Sequence, residues 1–148
     1  MIISDAVIAK RKGTHMKKGN ENVFTDELTK REVMVMKCIW ESEGPISAVQ
    51  IQKELMETYE IWYERSTIAT FLLHLREKEY IDTYKKGQVY YYTPLVSKDD
   101  YIRTQTRQYT DFWFKGSVAG YIRAYVGGEK GAISAEEIAE IKAVLKEI

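Results

Sequence analysis

The apolar residues of this chain recur with a helical period as far as Glu79, and from Tyr80 onward the period becomes that of a strand. Thr29 followed by Glu32 has the form of a capping box ahead of an apolar run. It predicts a first helix over about 29–42 that buries Val33, Met36 and Trp40 and is stopped by Gly44-Pro45. Ser47 is placed to cap a second helix, 48–59, in which Ala48, Ile51, Leu55 and Tyr59 share one face. Glu60 to Glu64 is a short connector. A third helix, about 66–79, carries Ile68, Phe71, Leu72 and Leu75 on one stripe and Thr67, Thr70 and His74 on another. Then Tyr80–Tyr84 and Val89–Thr93, rich in aromatic and β-branched residues, read as two strands joined by a turn at Lys85-Lys86-Gly87-Gln88. Three helices and a hairpin, in that order, make a winged helix-turn-helix module.

Past Pro94 the pattern is helical again. Ser97 precedes Asp99 and Asp100, acids suited to a first helical turn. A long helix is expected over 98–115, extending toward 126 unless Gly116 or Gly120 breaks it. Gly127-Gly128 is a stop, and Ser134 with Glu137 opens a last helix over 135–147. The fold class is therefore mainly α with a small β-hairpin wing. The expected division is a basic, flexible extension over 1–23, a winged-helix domain over 24–96 and a helical segment over 97–148.

Charge limits what such a chain does. It has 148 residues, with 22 basic and 22 acidic side chains, so overall charge does not attract nucleic acid. Positive groups must be concentrated locally. Lys10, Arg11, Lys12, Lys17 and Lys18 are near the start, which is either a native arm or an extension ahead of a true start at Met16. The order of Met1–Lys12, apolar before basic, is the reverse of a secretory signal, and no apolar run approaches the ~20 residues of a membrane span. The expected location is cytoplasmic, without membrane insertion. The lone cysteine, Cys38, cannot form an internal disulfide; it is either a packed thiol or a redox sensor. His15 and His74 have no metal-ligand spacing, the glycines form no phosphate loop, and no cofactor or catalytic group is indicated.

DNA recognition has firmer support. The second helix of a helix-turn-helix enters the major groove, its leading residues at base edges. Here those residues are Arg65, Ser66, Thr67, Ala69 and Thr70, with His74 further along. Lys85 and Lys86 at the wing are suited to phosphate. Each has a plainer reading: Ser66 as an N-cap, Thr70 as a solvent-facing residue, the lysines as an exposed turn. The C-terminal apolar residues Phe112, Trp113, Tyr121, Ile122, Tyr125, Ile138, Ile141 and Leu145 either cap the first domain or join two copies in a homodimer. A winged helix serving protein–protein assembly without DNA affinity is the alternative function.

Several segments resemble the penicillinase-repressor family, the BlaI/MecI/CopY repressors. Leu28–Trp40 is similar to the family's opening helix and Ser47–Leu55 to its second. Thr67-Ile68-Ala69-Thr70, with His74-Leu75 and Lys78, resembles its recognition helix; the hairpin ending Tyr90-Tyr91-Tyr92-Thr93-Pro94 also matches. The resemblance spans about residues 25–148. It implies a homodimer that binds double-stranded palindromic operator DNA and is released by an inducing signal. In one branch a membrane sensor protease triggers cleavage in the dimerisation domain, typically at Asn-Phe; here the nearest pair is Ala124-Tyr125. The C-terminal cysteine pairs of the copper branch are missing. His74 stands where the family usually has Arg, and Glu79 where it often has Gly.

Overall fold

A computed structural model of the chain describes residues 28–148. The basic extension expected over 1–23 lies outside the described residues. The elements run α1 (Lys30–Glu41), β1 (Ile46–Ser47), α2 (Ala48–Tyr59), α3 (Arg65–Glu77), β2 (Ile81–Lys86), β3 (Val89–Pro94), α4 (Lys98–Phe114), α5 (Val118–Val126) and α6 (Ala135–Lys146).

Local signals set the starts of the first two helices. The Thr29 hydroxyl accepts from the Glu32 N–H at 3.2 Å, while the Thr29 N–H donates to Glu32 Oε1 at 3.0 Å. Ser47 and Gln50 form the same reciprocal pair at the head of α2. In each case the box satisfies one orphan amide of the first turn and the N–H of the N-cap itself. Ser134 accepts from the Glu137 N–H at the head of α6, giving half of the box expected there.

The core is built by α1, α2 and α3 against the sheet. Val35, Met36, Ile39, Ile51, Leu55, Ile68, Leu72, Leu75 and Ile81 are all buried. On α1 the deepest apolar positions are Val35, Met36 and Ile39, whereas Val33 and Trp40, expected to be buried, lie at the core's margin. Val33–Trp40 is apolar at nearly every position, so the sequence defines no single stripe there. The sheet has order β1-β3-β2, all antiparallel. β1 is a third strand that the sequence did not announce: Ile46 pairs with Tyr92 and Ser47 with Tyr91. At the wing tip Lys86 pairs with Val89, leaving a two-residue turn in which Gly87 takes φ 64°, a left-handed conformation that glycine adopts freely.

α4 is fastened to this domain at its first turn. Trp40 Nε1 donates to the Val96 carbonyl at 2.7 Å. Tyr101 lies with its ring centroid 5.1 Å from that of Trp40 and 6.1 Å from that of Tyr80. The long helix then ends at Lys115 and Gly116, both at positive φ, so it does not continue toward 126. α5 and α6 contain no buried residue.

Candidate nucleic-acid interface

The third helix turns one stripe inward and leaves the opposite one bare. Ile68, Leu72 and Leu75 are buried. Ser66, Ala69, Thr70 and Leu73, at i, i+3, i+4 and i+7, are all exposed. Thr67 is half-buried and His74 exposed, so both flank this stripe rather than form its centre. Ser66 is not a cap: the N-cap is Glu64, whose side chain makes no capping bond. The Thr70 hydroxyl donates to the Ser66 carbonyl at 3.0 Å, which leaves its oxygen lone pairs available as acceptors.

Two side chains hold the start of α3 against α2. Buried Gln52 donates from Nε2 to the Tyr63 carbonyl at 2.8 Å and accepts from Arg65 Nε at 3.3 Å. Arg65 is thereby held at the turn between the helices, with its side chain exposed. The other end of α3 is pinned by Lys78, whose Nζ lies 2.6 Å and 3.2 Å from the two carboxylate oxygens of Glu32. Glu32 is 2% exposed. Burial pushes its carboxyl up, but the hydrogen bonds from Lys78 and Thr29 and the lysine charge outweigh that, and it titrates below its ordinary value. Lys78 therefore ties the end of α3 to α1 on the side away from the bare stripe.

Lys85 and Lys86 are the last residues of β2 rather than part of the turn. As neighbours on a strand they project to opposite faces of the wing. Lys85 Nζ lies 5.5 Å from the centre of the Tyr90 ring, a cation–π distance. On the Lys86 side Tyr84 stacks on Tyr91 with centroids 5.8 Å apart.

The C-terminal helices present Phe112, Trp113, Tyr121, Ile122, Tyr125, Ile138 and Leu145 as exposed apolar groups, with Ile141 half-buried. Part of the aromatic content has an intrachain role. Tyr109, Phe114 and Tyr121 pack edge-on and tilted, with centroids 5.8–6.4 Å apart, and close the corner between α4 and α5. Gly120 fits beneath Phe114, where a Cβ would lie 3.3 Å from that of the phenylalanine. Ala124-Tyr125 is in the last turn of α5, both residues exposed. Cys38 is buried, and burial first, then Glu54 and Glu41, pushes its thiol up to about 11. That is a packed thiol, far from the reactive thiolate a sensor needs. Among the described residues no three metal-ligating side chains gather, and no helix is long and apolar enough to cross a membrane.

A three-helix core, a short third strand, a lysine-bearing hairpin and a third helix with a bare outer stripe define a winged helix-turn-helix protein. The family model described as penicillinase repressor matches residues 28–147, and the chain belongs to that family. The penicillinase repressor of Bacillus licheniformis is 31% identical over 121 residues, 82% of this chain and 91% of the relative. The penicillinase repressor of Staphylococcus aureus is 25% identical over 122 residues, 82% of this chain and 93% of the relative. Among solved structures, the DNA-binding domain of the repressor BlaI is 35% identical, covering 51% of this chain and 88% of that one, with a TM-score of 0.44. The monomeric form of Bacillus licheniformis BlaI in complex with the blaP half-operator is 34% identical, covering 51% and 89%, with a TM-score of 0.42.

Proposed function

We propose that this chain is a DNA-binding transcriptional repressor of the bacterial cytoplasm that holds a palindromic operator as a homodimer. The observation that carries this reading is the unpartnered stripe of α3, beside a wing that bears Lys85 and Lys86. α3 lies in the major groove, with Arg65, Ser66, Thr67, Ala69, Thr70 and His74 at base edges or the adjoining backbone. The wing meets phosphate. The exposed apolar side chains of α4, α5 and α6 need cover, and a second copy supplies it while presenting a second α3 to the second half-site.

Release follows an inducing signal. The candidate cleavage bond, Ala124-Tyr125, is next to Gly127 and Gly128, both at positive φ. A protease needs an extended strand, and a helix end bordered by two glycines unwinds at lower cost than a helix centre. The partner for this step is a membrane sensor protease. An intact chain in induced cells whose operator is already free would remove cleavage from the account.

Neutral net charge favours the second reading, a winged helix for protein–protein assembly. Anisotropy titration against random duplex at several salt concentrations separates the two. The repressor reading expects binding that weakens with salt, stronger binding to an inverted repeat upstream of the gene, and a Thr70→Ala variant that loses operator affinity but stays dimeric. No binding to any duplex at low salt selects the assembly reading.

A further inference from the structure

Leu73 is 54% exposed on a helix whose other leucines, Leu72 and Leu75, are buried. It is neither in the core nor among the partly buried side chains packed against it. Its exposure is not a fault of amphipathicity: it completes the stripe Ser66, Ala69, Thr70, Leu73 that faces away from the core. Two of these positions carry hydroxyls and two are apolar, and the apolar pair, Ala69 and Leu73, stand at i and i+4, side by side. None of the four is charged, while Glu77, next along the same face, is acidic and disfavours a close approach to DNA beyond Leu73.

We propose, building on the DNA-binding reading above, that Leu73 is a specificity-determining residue that contacts the 5-methyl group of a thymine in the major groove. The chemistry selects this occupant. Hydroxyls of Ser66 and Thr70 suit the donors and acceptors of base edges, whereas a leucine side chain matches no polar base atom. The one apolar group that a base pair presents in the major groove is the thymine methyl. Leu73 therefore favours T over C at its position, and loses contact, without meeting a clash, where the methyl is missing.

The test uses the full chain and a duplex enriched by it from a random-sequence pool. Each thymine of that duplex is replaced in turn by deoxyuridine, which removes only the methyl. Wild type is expected to lose roughly fourfold in affinity at one thymine per half-site, the worth of about one buried methyl group. In Leu73→Ser that same replacement should have no effect, while Leu73→Met, still apolar, retains part of the sensitivity. Sedimentation should show both variants in the same oligomeric state as wild type. The proposal is overturned if no thymine is methyl-sensitive, or if Leu73→Ser keeps the full sensitivity. It is also overturned if Leu73→Ser alters the oligomer, which would place Leu73 against another copy of the chain. If wild type enriches no duplex, the DNA-binding reading itself fails and takes this inference with it.

Discussion

Replacing Lys78 with methionine removes the ion pair that ties the end of α3 to α1. The substitution keeps the aliphatic length and removes the ammonium that lies 2.6 Å from Glu32 Oε1. The carboxylate left behind is on a side chain only 2% exposed, so it loses its counter-charge without gaining water. Breaking a buried ion pair from one side costs about 3–5 kcal/mol. The lysine side chain is 27% exposed, so water reaches its end of the pair, and the lower limit of about 3 kcal/mol applies. With a urea slope of about 1.5 kcal/mol/M, the unfolding midpoint should fall by roughly 2 M. The sign of the pH dependence is also determined. In wild type the Glu32 carboxyl titrates below its usual 4.5. Its contribution is therefore complete above that value and is lost as pH falls through the lower folded value. In Lys78→Met both lowering effects of the lysine are lost, so the folded value rises and the buried group takes up a proton at higher pH than in wild type. The gap between variant and wild type should be widest at neutral pH and shrink as the pH falls into the acid range. Urea titrations followed by circular dichroism, at fixed protein concentration, measure both effects. A midpoint change under about 0.5 M, or a gap that does not narrow in acid, refutes the buried-pair argument. The double variant Glu32→Leu with Lys78→Met should recover much of the loss, because it removes the buried carboxylate together with its counter-charge.

Other consequences follow from single contacts. Glu60 caps α2 at φ 58°, so Glu60→Gly should raise stability by about 0.5–1 kcal/mol in a thermal melt, the relief of left-handed strain exceeding the added chain entropy. Trp40→Phe keeps the ring against Tyr101 but leaves the Val96 carbonyl without its indole donor, and should cost about 1–2 kcal/mol in chemical denaturation. Cys38 should resist iodoacetamide in the native chain at pH 7.5 and react in urea, since the thiol is buried and raised to about 11. Lys86→Ala should weaken all duplexes alike and reduce the slope of log K against log salt by about 1.

What the sequence discloses follows the range of each interaction. The starts of α1 and α2 are legible because a capping box lies within four residues, at Thr29/Glu32 and Ser47/Gln50. The inner face of α3 is legible because Ile68, Phe71, Leu72 and Leu75 recur at helical spacing. β1 is hidden because two residues carry no period, and the Glu32–Lys78 pair because its partners are 46 positions apart. In the sequence Lys78 is one more basic residue near the end of the third helix, whereas the fold turns it toward a carboxylate. Leu73 falls on neither of the two stripes that the sequence defines, and its exposure beside buried Leu72 is what places it on the outer face. The aromatic residues near the C-terminus divide in a similar way: Phe114 closes a corner within the chain, while Trp113 and Tyr125 project outward.

The central claim is that two copies of this chain set their two α3 helices into the major groove at two half-sites on one face of the duplex. Hydroxyl-radical footprinting of the full chain on the duplex that it enriches from a random pool tests this most directly. The account predicts two symmetric protected patches with centres about 10 base pairs, one helical turn, or a whole number of turns apart. Protection of a single half-site at saturation, or none above that on random duplex, would contradict it.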